Sequence, residues 1–323
     1  MMDWGLLVLG GVLLYFGAEY FVGGASALAA SLRVPQLIVG LTVVAYGTSA
    51  PEIIVGINSA YNGHGDVALG NVIGSNIANI GLILGVAALL SPARVDGALR
   101  VRELPMLIIS TALVPLTLID GVVSRLEGSL LLLGAVGYSA IMVRSARLSS
   151  LREARREAEV TAAAADAAGA PTPAGPMRSV VTALVGLCVL LLGGHLFVNA
   201  SVNVAESLGM SERLVGLTIV AIGTSLPELV TSIVAARRGA SDIAVGNVIG
   251  SNIFNVFLCL GAASATAPLV SSLAGLAVDL AAMVVMTVLA VIFIRTERVI
   301  TRLEGGIALA LYALYMVVTV VRG

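Results

Sequence analysis

The sequence predicts an all-α polytopic membrane protein, with ten transmembrane helices forming two inverted-topology repeats of five. Three observations lead there. Of the 323 residues, 58% are hydrophobic and 11% charged, with a mean hydropathy of +1.03, a balance foreign to soluble domains. The apolar runs are about 20 residues long and lack the period-2 alternation of a membrane strand, which selects helices over a barrel. The stretch Gly40–Glu52 (Gly-Leu-Thr-Val-Val-Ala-Tyr-Gly-Thr-Ser-Ala-Pro-Glu) returns 176 residues later as Gly216–Glu228.

The spans fall at 5–31, 35–61, 66–91, 104–120, 124–144, 178–205, 212–236, 242–268, 271–294 and 301–321. The N-terminus carries Asp3 where a cleavable signal has basic residues, so the first run reads as a retained span. Gly63 ends one helix and Asp66 caps the next; Gly239 and Asp242 repeat the device. All 18 basic residues are arginine. With the loop after span five in the cytoplasm, only Arg125, Arg213 and Arg322 fall outside. That imbalance puts both termini outside and the 145–177 loop in the cytoplasm of a multi-pass cell-membrane protein. Within that loop, Arg152–Glu159 extends a helix, and Ala162–Gly175 reads as a flexible tether. The chain thus divides into a first repeat at 1–147, a linker at 148–177 and a second repeat at 178–323.

Aligned without gaps, Gly40–Leu82 matches the chain 176 residues on at 25 of 43 positions. The matches include Thr, Ser, Asn, Asp, Pro and Glu, which chance likeness between apolar helices does not supply. Arg125-Leu126-Glu127-Gly128 also recurs, as Arg302-Leu303-Glu304-Gly305. Five spans per half is an odd number, so the second copy enters the membrane in the opposite sense. In that architecture, substrate sites form near the midplane where the repeats meet.

The chemistry concentrates in the repeat. Pro51 and Pro227 have no N–H and clash with the carbonyls of Gly47 and Gly223, so each helix is expected to open around Ala45–Thr48 and Ala221–Thr224. Glu52 and Glu228 follow directly. A carboxylate at membrane depth costs at least about 2–3 kcal/mol, and no arginine falls in their spans, so a bound cation or a proton is the economical partner. Thr48 and Ser49 share a helix face with Glu52, as Thr224 and Ser225 do with Glu228. The following spans hold Gly70–Asn79 and Gly246–Asn255. Gly70/Gly74 and Gly246/Gly250 permit close helix approach, while Ser75/Asn79 and Ser251/Asn255 add neutral oxygens. Asn71, Asn76, Asn247 and Asn252 also suit plain interhelical hydrogen bonding. An all-oxygen set without a His or Cys cluster selects a hard cation such as Ca²⁺ or Na⁺. Two carboxylates carry −2, matched by one Ca²⁺ or two Na⁺.

Other polar groups read as structural. Glu19 aligns with His195 and suggests a hydrogen-bonded pair; Asp279 has no repeat counterpart, and His64 lies in a loop. Cys188 and Cys259 read as buried packing residues. The net charge of −1 selects no partner.

Gly47–Glu52 with Gly70–Asn79, and Gly223–Glu228 with Gly246–Asn255, resemble the two alpha-repeats of the sodium/calcium exchanger family, within the cation/calcium antiporter superfamily. The resemblance implies Na⁺-driven Ca²⁺ antiport by alternating access, with spans one and six sliding across a fixed eight-helix core. It implies ion ligands at Glu52, Glu228, Thr48, Thr224, Ser49, Ser225, Ser75, Ser251 and Asn79, plus the carbonyls of Ala45 and Ala221. Where many prokaryotic and potassium-dependent members carry Asp, this chain has Asn255, a departure that speaks against potassium dependence and leaves open how the central position is filled. The proton-coupled branch has an acid in the Gly-Asn motif that is absent here.

The leading expectation is a prokaryotic Na⁺/Ca²⁺ antiporter acting as a monomer, without cofactor or nucleic-acid partner; H⁺/Ca²⁺ or other divalent exchange is the alternative. A cation channel would need a continuous polar pore, and an enzyme a nucleophile–base pair or histidine metal site that the sequence does not show.

Overall fold

A computed structural model of the protein describes residues 2–94, 97, 99–163, 175–210, 221–296 and 299–322. The described chain is nearly all helical. In order, it runs α1 (Met2–Leu32), α2 (Gln36–Thr48), α3 (Ala50–Tyr61), α4 (Gly65–Leu90), α5 (Leu104–Thr117), α6 (Arg125–Ala163), α7 (Pro176–Ser207), a short turn Ala221–Gly223, α8 (Leu226–Arg237), α9 (Ser241–Thr266), α10 (Leu273–Thr296) and α11 (Arg302–Arg322). Two-residue strands β1 (Ala93–Arg94), β2 (Val122–Val123), β3 (Leu269–Val270) and β4 (Val299–Ile300) tie the helix ends.

Among the described residues, 7 helices are long and apolar enough to cross a membrane, or 8 with α2 and α3 taken as one span bent by 44°. Two expected spans fall outside that set: 104–120 is the 14-residue α5, and 212–236 lies partly outside the described residues. The helix expected at Arg152–Glu159 is the end of α6, which reaches Ala163; most of the expected tether lies outside the described residues.

Local chemistry explains the ends. Gly63 (φ +77°) and Gly239 (φ +73°) adopt the left-handed backbone that closes α3 and α8. Asp66 and Asp242 are not caps: His64 and Ala240 hold those positions, and each Asp lies in the first turn, where its charge faces the helix N-terminus. The recurring Arg-Leu-Glu-Gly motif is a capping box. Glu127 Oε2 accepts the N–H and hydroxyl of Ser124 (both 2.7 Å), and Glu304 does the same for Thr301.

Two apolar clusters organise the packing. The larger spans α2, α4–α6 and α9–α11; the smaller joins α1 and α7 to α2, α8 and the start of α9. Helices α1 and α7 pack antiparallel, backbone against backbone. A Cβ at Gly10, Gly17 or Gly24 would strike the main chain of Phe197, Leu190 or Ala183, and one at Gly186 or Gly193 would strike Phe21 or Leu14. Helices α2 and α9 cross where a Cβ at Gly40 would meet Ile243 O and one at Gly246 would meet Leu37 O, both at 2.8 Å. The close approach expected of the small residues occurs at Gly246 and Gly250; for Gly70 and Gly74 the counterpart of that partner segment, 211–220, lies outside the described residues. Strand β1 pairs antiparallel with β4, and β2 with β3.

The glycine contacts carry a test. Gly186→Leu drives a side chain into the α1 backbone and is expected to destabilise the detergent-solubilised protein by more than about 1–3 kcal/mol, read as a loss of thermal stability and of the monodisperse size-exclusion peak. Gly5→Leu, at a position with nothing within 4 Å among the described residues, is expected to leave both unchanged.

Candidate functional site

The site is built at two helix breaks. Chain geometry departs from helix at Ser49 (φ −78°, ψ 5°) and at Ser225 (φ −90°, ψ 8°). Helices α3 and α8 restart one residue later, with Pro51 and Pro227 in their first turn, where a missing N–H costs nothing. The interruption thus falls just before the prolines. The two breaks differ in detail. Ser49 N–H donates to Ala45 O (3.1 Å), whereas Ser225 N–H donates to Ile222 O (3.1 Å).

Glu52 and Glu228 occupy the first turns of α3 and α8, each only 1% exposed. Their partners are crossed. Ser225 Oγ donates to Glu52 Oε1 (3.3 Å), and Ser49 Oγ donates to Glu228 Oε1 (3.2 Å). Each serine serves the glutamate of the other copy, so the two carboxylates belong to one site. The single proton of the Ser49 hydroxyl has two acceptors within reach, Glu228 Oε1 and, also at 3.2 Å, Ser251 Oγ. The second oxygen of each carboxylate, Oε2, is buried without a hydrogen-bond partner among the described residues. Two anionic oxygens held this way fit a hard cation.

Neutral oxygens complete the surroundings. Thr48 is fully buried, with its hydroxyl 3.1 Å from both Val44 O and Asn247 Oδ1. Thr224 is partly exposed and lines the cavity described below. Ser75, Asn79, Ser251 and Asn255 are all buried, and Asn79 Oδ1 has no partner. Asn71 and Asn247 play the interhelical part: Asn71 Nδ2 donates to Glu52 O (3.2 Å), and Asn247 Nδ2 to Glu228 O (3.4 Å) and Ser232 Oγ (3.0 Å).

Asn255 is held by a directional chain. The thioether of Met283 accepts from Asn76 Nδ2 (3.8 Å), so Asn76 turns Oδ1 towards Asn255 Nδ2 (3.3 Å). Asn255 Oδ1 then accepts the Cys259 thiol (3.5 Å). Cys259 is buried as expected; Cys188 is instead exposed on α7.

Aromatic packing fixes the surroundings of the first break. The Tyr46 and Phe254 rings lie 3.9 Å apart, Tyr138 meets Phe254 at 5.4 Å, and the Tyr46 hydroxyl reaches Ser139 Oγ at 2.5 Å. Tyr138 in turn donates to Glu103 Oε2 (2.6 Å), whose other oxygen pairs with Arg102 (2.5 Å). Glu103 is fully buried and was not singled out by the sequence; Arg102 beside it was the available signal.

A cavity of about 400 Å³ opens beside the site, between α3, α7 and the start of α8. Its walls include Pro51, Pro227 and Thr224 next to the glutamates, and His195 and Asn199 on α7. His195 does not meet Glu19: its Nε2 lies 3.0 Å from Asn199 Nδ2, while Glu19 pairs with Arg238. Asp279 accepts from the Tyr315 hydroxyl (3.0 Å), away from the glutamates.

Comparison with known proteins identifies the family. The family model described as sodium/calcium exchanger protein matches residues 2–144 and 178–321. Sodium/calcium exchanger MaX1 of Methanosarcina acetivorans is 33% identical over 340 residues, covering 97% of each chain. Inner membrane protein YrbG of Escherichia coli is 38% identical over 256 residues, 79% of this chain and 77% of its own. The solved structure of the sodium-calcium exchanger NCX_Mj soaked with 10 mM Na⁺ and 10 mM Sr²⁺ superposes with a TM-score of 0.81 at 33% identity, covering 98% of this chain and 97% of that one. With the family model matched over both halves of the chain, and with its run of apolar helices, this multi-pass membrane protein belongs to the sodium/calcium exchanger family, a family of exchangers and not of enzymes.

Proposed function

We propose that this protein exchanges Na⁺ for Ca²⁺ across a prokaryotic cell membrane by alternating access. One observation carries the reading: two buried glutamates, each hydrogen-bonded by the serine of the other copy, each keep an unpartnered oxygen. A −2 pair inside a bilayer must be neutralised. One Ca²⁺ does so, and so do two Na⁺, so the two occupants exclude each other, as antiport requires. The proposed ligands are Glu52, Glu228, Thr48, Thr224, Ser49, Ser225, Ser75, Ser251, Asn79 and Asn255, with the carbonyls of Ala45 and Ala221. Na⁺ and Ca²⁺ are the exchanged substrates named for MaX1.

The same proposal includes ten spans in two inverted halves, 1–147 and 178–323, joined by a cytoplasmic 148–177 linker, with both termini outside and a monomer as the working unit. Several features support it. Helices α3 and α8 have equal length and start 176 residues apart, and so do the π-helical segments Asn79–Leu84 and Asn255–Leu260. Thr111 and Thr287, also 176 apart, bond each other at 3.0 Å. The antiparallel α1–α7 pairing and the exchange of strand partners fit a two-fold relation between opposed copies.

Proton coupling is the second reading, because a buried carboxylate pair also accepts protons. The transport assay separates them. In proteoliposomes, an imposed Na⁺ gradient is expected to drive ⁴⁵Ca²⁺ uptake, without stimulation by K⁺ and without need of a pH gradient. Uptake that ignores Na⁺ and follows the pH gradient establishes proton coupling; stimulation by K⁺ removes the reading of Asn255 as a potassium-independent feature.

Glu52→Gln and Glu228→Gln each keep the size of the side chain and remove one charge. Either is expected to lower exchange at least about 100-fold, the scale of losing a charge-assisted contact of a few kcal/mol, while the protein remains folded by size exclusion. Near-normal exchange in one variant removes that residue from the site.

A further inference from the structure

The α1–α7 pair is held differently on the two sides of its midpoint. On one side, Arg238, which caps the C-terminus of α8, reaches across to Glu19 of α1 and forms an ion pair. The guanidinium lies where a side chain on Gly23 would stand, since a Cβ there would come within 2.8 Å of Arg238 Nη1. Glu19, Gly23 and Arg238 thus form a fitted contact: an acid, a cradle without a side chain and a base.

The matching positions of the other copy lack all three parts. Adding 176 to Glu19 and Gly23 gives His195 and Asn199; subtracting it from Arg238 gives Asn62. His195 and Asn199 contact each other at 3.0 Å, and Asn62 Nδ2 donates to its own helix at Asn58 O (2.8 Å). His195 and Asn199 line the open cavity that reaches Pro51 and Pro227. On one side of its midpoint the α1–α7 pair is therefore fastened to α8 by charge, and the equivalent contact on the other side is replaced by the wall of a cavity.

We propose that the Glu19–Arg238 ion pair, seated over Gly23, is a one-sided latch that biases the protein towards the conformation whose cavity opens past His195. The proposal rests on the alternating-access reading above. A carrier of that kind must close this cavity and open the opposite side, and Arg238 grips α1 on that side of the midpoint of the pair. Breaking the pair is then a step in every cycle, and its strength sets how the two conformations are populated. Both side chains are partly exposed, 41% for Arg238 and 25% for Glu19, which keeps the latch weak enough to release.

The test reads conformation without transport. Val198 lines the cavity; Val198→Cys in a Cys188→Ala background places one reactive thiol there, while Cys259 stays fully buried. A charged methanethiosulfonate reagent is added to the detergent-purified protein. Glu19→Gln, Arg238→Gln and Gly23→Val are each expected to slow labelling of the introduced thiol about two- to tenfold, the shift an ion pair of this exposure supports. The exchanged pair Glu19→Arg with Arg238→Glu is expected to restore at least half of the parent rate. Labelling unchanged in all three single variants overturns the latch, as does an exchanged pair as slow as the singles. Unfolding shows itself separately, as labelling of Cys259; Arg238→Lys, which keeps the charge, then serves in its place and is expected to match the parent, with slowing as large as in Gly23→Val counting against a charge latch. If the parent moves no Ca²⁺ but the labelling pattern holds, the transport reading fails and the latch stands; the reverse result fails the latch alone.

Discussion

Two carboxylates in a bilayer, without a basic residue among their described hydrogen-bond partners, are the constraint on which the rest of this structure depends. Left alone, Glu52 and Glu228 would be among the costliest side chains in the protein. The fold makes them tolerable by crossing: Ser49 of one copy serves Glu228 of the other, and Ser225 serves Glu52. Neither copy completes its own site. The second oxygens stay buried and unpartnered, which is costly in an empty protein and suited to one that binds a cation. The helix breaks, the prolines in the first turns and the asparagines bracing the glutamate carbonyls all serve to hold these two groups at one place.

The remaining packing reads as support for that place. Phe254 precedes Asn255 and is clasped between Tyr46 and Tyr138; Tyr46 lies beside Ala45 and Gly47 at the first break. The polar chain from Met283 through Asn76 fixes the amide of Asn255. Glycines let α2 and α9 cross within backbone contact, and the glycine-lined α1–α7 pair forms a second packing unit beside them. The α1–α7 pair meets an open cavity on one side of its midpoint and an ion pair on the other.

Much of the site was legible in the sequence because the duplication marks it. Thr48, Ser49, Pro51 and Glu52 recur at a fixed offset, and expensive residues repeated in apolar helices have few bland explanations. Offset, however, reports equivalence and not contact. Nothing in the repeat says that Ser49 reaches Glu228, or that Glu19 ignores its counterpart His195 for Arg238, 219 residues away. Misplacing Asp66 and Asp242 as caps has a similar cause: an acid in the first turn and an acid at the cap look alike in sequence, and both favour a helix start. Glu103 went unmarked because it lies at the edge of an apolar run, where a carboxylate is expected to be solvated; burial beside Arg102 and Tyr138 is a tertiary fact. Cys188 faces outward because α7 spends its small residues on α1.

That the two glutamates form one cation site, and not two, is the central claim, and equilibrium binding tests it most directly. Purified protein in detergent without Na⁺, titrated with ⁴⁵Ca²⁺, is predicted to bind one Ca²⁺ per chain at saturation, and Glu52→Gln or Glu228→Gln alone is predicted to abolish that binding. A stoichiometry of two, with each single variant retaining one Ca²⁺ at unchanged affinity, would contradict it.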